Sequence, residues 1–555
     1  MADKNSASDA NHAETHQVFN QPTPLEHYNA YRSDQVLQYW AQQFGGNWGQ
    51  ALLTDFGKQI GGPLLKAGFD ANKFKPEFAP HDRFGHRIDE VSYHPAYHQI
   101  MQHAICNGHH SLPWSSDDNG RHVVRAAMAY LHTQADPGSG CPLTMTFASI
   151  PALQQQPALA DYWLPKVLSN HYDPENKPYF EKQGVTIGMA MTEKQGGSDV
   201  RANTTTAQFL QDHKYGAVYE LVGHKWFCSA PMCDAFLMLA QTESGLSCFL
   251  VPRWREDGSK NPIHIQRLKD KVGNVSNASS EIELRGAQGW IVGEPGRGVK
   301  TILQMVALTR YDCMLGSSAL MAQAVRQAIH HTSGRRAFGK NLHEQLIMQN
   351  VLADLALEAE AALAISMRIA KALENLENPI ENSVVRLGTA IGKYWICKRT
   401  PQFTYEAMEC IGGVAVVKDN VLARLYAEAP INAIWEGSGN IQCLDIMRAI
   451  VKEPDDAKHF IDELLKCAQS SSELLSYVES LSIQINDVSN FEAHARQLTE
   501  KLAIAWQAAT LLRYGDNKVA NTYIANRLVN RFNMYGCLTP ESPLSFLIQR
   551  YLPEI

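Results

Sequence analysis

The spacing of apolar residues predicts helices in the first third of the chain and strands after it. Helical periodicity dominates from about residue 34 to residue 185, with a break at the Gly- and Pro-rich stretch 136–140. The pattern then changes to short runs rich in β-branched and aromatic residues. These runs cover 218–222, 236–240, 247–251, 281–284 and 290–292. Residues 242–245 lie between two of them and predict a hairpin.

Helical periodicity returns at about residue 299. Long amphipathic helices are predicted over 301–332, 345–375 and 384–398, and Pro401 is expected to end or kink the third. A shorter helix over 405–411 stops at Gly412-Gly413. Further helices are predicted over 458–470, 493–514 and 520–531. Long neighbouring helices of this kind favour a bundle.

This order predicts a mainly α protein with a central β-domain of barrel or sandwich type, a long-helix bundle and a C-terminal helical extension. The expected domains are an N-terminal helical domain with a disordered start over 1–15, a small β-domain, the bundle and the extension. Their predicted boundaries are 1–185, 186–298, 299–450 and 451–555.

Composition narrows the class of protein. The 555 residues carry a formal net charge of -7, so a general attraction to nucleic acid or anionic membrane is not expected. No signal peptide or long apolar run is found in the sequence, so the expected location is the cytoplasm, away from any membrane. The 11 cysteines form no C-x-x-C pair. The neighbouring histidines at 109–110 and 330–331 lack metal-ligand spacing, so no metal is expected.

Motifs for common nucleotide sites are absent, because neither G-x-G-x-x-G after a strand nor G-x-x-x-x-G-K-[ST] occurs. The Gly-rich stretch 191–199 could instead cradle a phosphate or a carbonyl-bearing ring, although a plain turn fits it equally well. Trp226 and Phe227 are adjacent on a strand, so they cannot both face the core. One of them is free to face a ligand ring, the alternative being an ordinary core tryptophan.

Two further candidates are charged. Glu436 lies between Trp435 and Gly437 in a largely apolar segment, where burial would raise its pKa and suit a general base. A helix-terminal acid is the alternative. Arg335 and Arg336 follow a long helix, where paired arginines can hold a phosphate or simply end a solvated helix.

Taken in order, these motifs resemble the acyl-CoA dehydrogenase family over about residues 90–450. The resemblance rests on T-E-x-x-x-G-S-D at 192–199, the W-F-C-S strand end at 226–229, R-x-x-F-G at 335–339, the Gly412-Gly413 pair and Glu436-Gly437. It implies FAD as cofactor. The residues expected to bind it are Met191, Thr192, Gly197, Ser198, Trp226, Phe227, Cys228, Arg335, Phe338, Gly412, Gly413, Ile434, Trp435, Gly437, Ser438 and Asn440.

The resemblance also implies roles. Glu436 would remove the α-proton of an acyl-CoA while the β-hydride passes to flavin N5, and an electron-transfer flavoprotein would then accept the electrons. Trp226 would lie against the flavin ring and Cys228 beside its N5 edge. Arg335 and Phe338 would reach the FAD of a neighbouring subunit, which implies an oligomer, usually a homotetramer.

Stretches along nearly the whole chain resemble the branch of this family that is tied to the bacterial response to alkylated DNA. The alternative function is therefore a flavoprotein of that response which binds double-stranded DNA and has weak or no acyl-CoA turnover. Arg448, Arg527 and Arg531 are the candidate DNA contacts, against the alternative of a solvated face. A third hypothesis is that the protein is a scaffold that holds FAD and does little chemistry. Such a scaffold would have no need of Glu436.

Overall fold

The computed structural model describes residues 15–486 and 491–553. The disordered start predicted for residues 1–15 therefore lies, up to residue 14, outside the described residues. Everything below concerns the described part of the chain.

The N-terminal part is helical, with one hairpin. Its helices are α1 (Gln35–Gln43), α2 (Gln50–Ile60), α3 (Pro63–Lys73), α4 (Pro95–Cys106), α5 (Leu112–Ser115), α6 (Arg121–Ala135), α7 (Gly140–Leu153) and α8 (Pro157–Val167). The hairpin pairs β1 (Glu77–His81) with β2 (Arg87–Ser92) in antiparallel register. Helical periodicity missed this hairpin because β1 has no buried face, so its sequence lacks a clear alternation.

The central part is a sheet that closes on itself. Its strands are β3 (Ile187–Ala190), β4 (Thr206–Gln211), β5 (Val218–Ser229), β6 (Ala235–Thr242), β7 (Gly245–Pro252), β8 (Ile263–Leu268) and β9 (Ser279–Val292). Pairing runs β4–β5–β9–β7–β6 and returns to β4 through Thr206 and Gln241. The predicted hairpin is confirmed, since β6 and β7 pair antiparallel from Ala235↔Pro252 to Thr242↔Gly245.

Long helices form the third part. They are α9 (Gly298–Gly334), α10 (Leu346–Ala372), α11 (Pro379–Ser383), α12 (Thr389–Ile411), α13 (Val421–Glu428), α14 (Ile431–Ile434) and α15 (Gly439–Lys452). A small hairpin of β10 (Arg336–Ala337) and β11 (Lys340–Asn341) lies between α9 and α10.

The prediction that the third long helix ends near Lys398 is wrong, because α12 continues through Pro401 to Ile411. Proline removes one backbone donor from a helix. Here Thr400 and Thr404 donate their hydroxyls to carbonyls one turn back, to Ile396 at 2.8 Å and Thr400 at 3.0 Å. The buried Phe403 side chain anchors the same turn in the core.

The C-terminal extension packs on this bundle. Its helices are α16 (Pro454–Ala468), α17 (Ser472–Asn486), α18 (Phe491–Tyr514), α19 (Asn517–Ile524) and α20 (Leu544–Gln549). Gln507 of α18 accepts hydrogen bonds from Trp395 of α12 at 2.8 Å and Tyr523 of α19 at 2.6 Å. The predicted fold class is confirmed: helical N- and C-terminal parts flank a central β-sheet part. The exact domain boundaries stay predictions. No helix of the described ranges is both long and apolar enough to cross a bilayer.

Candidate active site

Glu436 lies in a strained turn between two helices. Helix α14 stops at Ile434, and α15 begins at Gly439. Between them Glu436 has a φ of 58° and Gly437 a φ of 92°. A non-glycine residue in this left-handed region is destabilised by about 1–3 kcal/mol, so surrounding contacts must hold it.

Three side chains hold the backbone of this turn. Arg310 donates from Nε to the Glu436 carbonyl at 2.9 Å, and Lys393 donates to the Gly437 carbonyl at 2.8 Å. Gln442 donates to both carbonyls, at 3.1 and 2.9 Å. Arg310 and Lys393 lie on α9 and α12, so the turn is fixed by the bundle. Sequence reasoning missed both residues, because no local motif marks a partner that is distant in the chain.

The Glu436 carboxyl has its own partner. Thr309 donates from its hydroxyl to Oε2 of Glu436 at 2.9 Å. Burial raises the pKa of Glu436, while the Thr309 hydrogen bond and the positive charge of Lys393 oppose that rise. A carboxylate with a raised pKa in a fixed position is suited to take up a proton near neutral pH.

The surroundings of Glu436 include Cys141 and Ser229. The Cys141 thiol lies against Ser229 and Asn277 and within electrostatic range of Glu436. Burial raises the pKa of Cys141 to about 12, so the group stays a neutral thiol at neutral pH. Helix α7, strand β5 and the Glu436 turn therefore meet at one place.

The Gly-rich loop after β3 forms an exposed turn. Met191 and Thr192 are half-buried, and Ser198 is exposed. A Cβ at Gly197 would lie 2.3 Å from the Thr192 hydroxyl, so the turn requires glycine there. The Thr192 carbonyl accepts from the Trp226 amide at 2.7 Å, which joins the loop to β5.

Glu193 is the buried anchor of this loop. It forms an ion pair with Lys225 at 2.8 Å, and both side chains are fully buried. Its carboxylate also accepts from the amide and hydroxyl of Thr204 and of Thr205. Burial alone would raise the pKa of Glu193, but the Lys225 and Thr205 hydrogen bonds hold that pKa well below its usual value. This acid stabilises the loop and is not free for catalysis.

The strand end at 226–229 places its residues in different surroundings. Cys228 is fully buried and lines a cavity of about 120 Å³ with Phe236 and Ile282. Ser229, the next residue along the strand, points the opposite way by strand alternation. Phe227 is 43% exposed.

The register of β5 slips by one residue at this point. Lys225 pairs with Ile282 and Cys228 with Ser280, so β5 has one residue more than β9 between these pairs. Trp226 is half-buried, and the Lys269 ammonium lies 3.5 Å from the centre of its ring. The hydroxyl available on this edge is that of Ser229, which lies 3.1 Å from the Ser279 hydroxyl. Ser229 belongs to the strand-end motif found in the sequence, but the bulge beside it is not visible in an apolar pattern.

The turn after α9 is on the surface. Phe338 is 97% exposed and has a φ of 52°. Arg335 donates from one terminal nitrogen to the carbonyl of Asn20 at 2.6 Å. At Gly412 and Gly413 an added Cβ would meet no atom within 4 Å, so both backbones face open space.

The remaining predicted residues flank Glu436. Trp435 donates from its indole to Asn432 at 2.9 Å. Ile434 is 67% exposed, and Ser438 and Asn440 are also exposed.

Known proteins match all three of these parts of the chain. Family profiles match the AidB N-terminal domain over residues 20–174, the acyl-CoA dehydrogenase middle domain over 188–287 and the acyl-CoA dehydrogenase C-terminal domain over 296–451. AidB of Escherichia coli (strain K12) is 42% identical over 515 residues, which cover 92% of this chain and 94% of that protein. The chain belongs to the acyl-CoA dehydrogenase family.

Solved structures share the fold. ACDH-11 of Caenorhabditis elegans in complex with C11-CoA has a TM-score of 0.85 at 24% identity, covering 94% of this chain and 95% of that one. An acyl-CoA dehydrogenase of Bacillus anthracis complexed with FAD has a TM-score of 0.62 at 14% identity, covering 94% of this chain and 84% of that one.

Members of the acyl-CoA dehydrogenase family bind FAD, and FAD is the cofactor here. The residues present fit it. The Ser198 loop is exposed and can offer backbone amides to phosphate. The exposed Phe227 ring offers an aromatic surface, and the open backbone at Gly412-Gly413 leaves room for a ligand.

Of the three arginines predicted to contact DNA, Arg527 is engaged with acids of this chain. Its guanidinium forms ion pairs with Asp354 and with Glu358 of α10, the latter at 3.2 Å, and its side chain is 12% exposed. Arg531 forms an ion pair with Glu500. Arg448 is exposed on α15. Arg527 therefore neutralises buried acids of α10, and its contact with DNA stays a prediction.

Proposed function

We propose that this protein is an FAD-dependent oxidoreductase that converts the Cα–Cβ single bond of an acyl-CoA thioester into a double bond. The observation that carries the proposal is the Glu436 carboxyl, which has a raised pKa and is fixed by Thr309. A scaffold that only held FAD would not need such a group. Family membership supports the substrate class.

Glu436 takes the α-proton of the substrate onto its carboxylate. The fixed turn keeps that carboxylate in one place, because Arg310, Lys393 and Gln442 bind the backbone around it. Such prior fixation limits the reorganisation needed when the proton moves. When bound, FAD supplies the two-electron acceptor for the β-hydrogen.

Phe227 and Ser229 are the residues of β5 that we assign to the cofactor edge. Phe227 offers an exposed ring, and Ser229 a hydroxyl that can donate a hydrogen bond. The loop of Thr192, Gly197 and Ser198 is assigned to the cofactor phosphates and ring edge. The predicted place of Cys228 beside flavin N5 stays a prediction.

The test is an anaerobic titration of the purified holoprotein with straight-chain and branched acyl-CoAs. We expect one of them to bleach the visible flavin absorbance within seconds. If the flavin is bound and none of the panel bleaches it, the dehydrogenase proposal fails. If one acyl-CoA does bleach it, the rate at which an electron-transfer flavoprotein reoxidises the reduced flavin tests the proposed acceptor.

A second copy of this chain is the proposed partner at the turn of Arg335 and Phe338. A phenylalanine that is 97% exposed is unfavourable in water, and Leu346 and Ile347 nearby in sequence are 78% and 81% exposed. Light scattering after size-exclusion chromatography measures the mass directly. A homotetramer is expected, and a monomer would remove the shared-site assignment of Arg335.

No DNA-binding function is proposed from the predicted arginines. Arg527 and Arg531 are engaged with acids of this chain, which leaves the exposed Arg448 as the candidate contact. Specific and non-specific DNA binding both draw on several phosphate contacts.

A further inference from the structure

Residues 20–23 lie against the turn that follows α9. The side-chain amide of Asn20 pairs with the backbone of Arg336 in both directions. Its Nδ2 donates to the Arg336 carbonyl at 2.9 Å, and its Oδ1 accepts from the Arg336 amide at 2.8 Å. The Asn20 side chain thus exchanges two hydrogen bonds with the Arg336 backbone, as two paired residues do in an antiparallel sheet.

Asn20 also holds the neighbouring arginine. Its carbonyl accepts from a terminal nitrogen of Arg335 at 2.6 Å. The backbone of Asn20 has a φ of 56°, a conformation that asparagine tolerates better than most residues. This conformation and the amide pairing together direct the carbonyl towards Arg335.

The rest of the segment is anchored to α9. The His330 ring nitrogen Nε2 lies 2.7 Å from the Thr23 carbonyl. Pro22 packs on Gly334, where an added Cβ would lie 3.1 Å from the proline ring. The segment 20–23 is therefore fixed along the end of the helix that carries Arg335.

A guanidinium has five N–H donors in a rigid plane. The bond to Asn20 uses one edge of the Arg335 guanidinium, which leaves its other donors for an anion such as a phosphate. Fixing a long side chain before the ligand arrives lowers the entropy lost on binding. The contact to Asn20 is thus well placed to prepare Arg335 for a phosphate.

We propose that Asn20 is a positioning residue of the FAD site, and that segment 20–23 orients Arg335 towards a phosphate of the cofactor. This inference rests on the proposed role of Arg335 in FAD binding. It assigns a role in the site to Asn20, which lies 315 positions before Arg335 in the sequence.

The experiment measures the dissociation constant of FAD after removal and re-addition of the cofactor to the full-length chain. The variants are Asn20→Ala, Asn20→Gly, Arg335→Gln and the double variant Asn20→Ala/Arg335→Gln. Asn20→Gly keeps the left-handed backbone accessible and removes only the amide, so it guards against a general folding defect. Asn378→Ala is the matched control, since Asn378 caps α11 with two backbone hydrogen bonds away from this turn.

We expect Arg335→Gln to weaken FAD binding roughly tenfold, as for the loss of one hydrogen bond to a charged group. Asn20→Ala and Asn20→Gly keep the carbonyl that accepts from Arg335 but lose the amide pairing that directs it, so they should weaken FAD binding by up to the same factor. The control should bind FAD as the wild type does. The double variant should be no weaker than Arg335→Gln alone, because Asn20 acts through Arg335. The salt dependence of FAD binding should fall most in Arg335→Gln, which removes the charge, and less in the Asn20 variants, which keep it.

The other outcomes distinguish the proposed role of Arg335 in FAD binding from that of Asn20. If Arg335→Gln leaves FAD affinity unchanged, the proposed role of Arg335 fails and this inference fails with it. If Arg335→Gln weakens binding but both Asn20 variants do not, only the role of Asn20 is overturned. Additive losses in the double variant, or an equal loss in Asn378→Ala, would also overturn it.

Discussion

Thr309 donates its hydroxyl to Oε2 of Glu436 across 2.9 Å, joining the long helix α9 to the strained turn before α15. The bond stabilises the charged form of the carboxyl, whereas burial stabilises the neutral form. The balance between these two effects sets the pH at which Glu436 can accept a proton.

Thr309→Val removes this bond while preserving the shape of the side chain. The pKa of Glu436 should then rise further, so the ascending limb of the pH–rate profile should move to higher pH. The reason is that a general base works only in its ionised form, which then requires more alkaline solution. Stopped-flow flavin reduction across pH measures the limb. Thr309→Ser is the control and should keep the wild-type profile; an unshifted limb in Thr309→Val would show that the bond does not tune the base.

Lys225→Met tests the buried anchor of the Gly-rich loop. The change leaves the Glu193 carboxylate buried without its cation, which should lower the free energy of unfolding by about 3–5 kcal/mol. Urea denaturation measures it. Lys75→Met removes an ion pair with Asp270 in which both side chains are largely exposed, and should leave stability close to that of the wild type. Equal losses in the two variants would contradict a special role for the Glu193–Lys225 pair.

Arg527→Met distinguishes a structural arginine from a DNA-contacting one. Removal of this cation leaves Asp354 and Glu358 less compensated in the core, so the protein should lose about 3 kcal/mol of stability. Arg448→Ala, at an exposed position, should melt like the wild type. Differential scanning calorimetry compares the melting temperatures of the two variants. If the Arg527→Met protein melts like the wild type, the ion pairs of Arg527 with Asp354 and Glu358 do not stabilise the fold.

Acid should destabilise the N-terminal helical part. Burial lowers the pKa of His103 and His110 to about 4 and that of His122 to about 3, from an ordinary value of 6.5. Because these groups bind protons more readily in the unfolded chain, stability should be full above about pH 6.5 and should fall as pH drops towards about 4. The free energy of unfolding at several pH values measures this.

His103→Phe provides the matched variant, since the His103 ring already packs on Phe56 with ring centres 4.5 Å apart. The stability difference between neutral and mildly acid solution should be smaller than in the wild type. A difference that stays the same would exclude His103 from the acid sensitivity.

Sequence patterns predicted the broad architecture because long helices and fully buried strands leave strong periodic signals. The hairpin of β6 and β7 and the long helix α9 are examples. The path of α12 through Pro401 was not predictable from the local sequence, because tertiary packing, with Phe403 of that turn buried in the core, outweighs the lost backbone donor.

The candidate site was predicted where chemistry is local in the sequence. Glu436 was found from its neighbours, whereas Thr309, Arg310 and Lys393 reach it from other helices. The bulge in β5, which shifts the alternation of the strand by one residue between Lys225 and Cys228, was not predicted. Register of this kind depends on pairing between strands, which a single sequence does not display.

The most direct test of the account is the rate of anaerobic flavin reduction by an active acyl-CoA in Glu436→Gln, compared with the wild type at equal flavin content. The account predicts that the variant retains FAD and that flavin reduction slows by about 10²–10⁴-fold, the usual contribution of a general base. Flavin reduction at the wild-type rate in Glu436→Gln would contradict the assignment of Glu436 as the base.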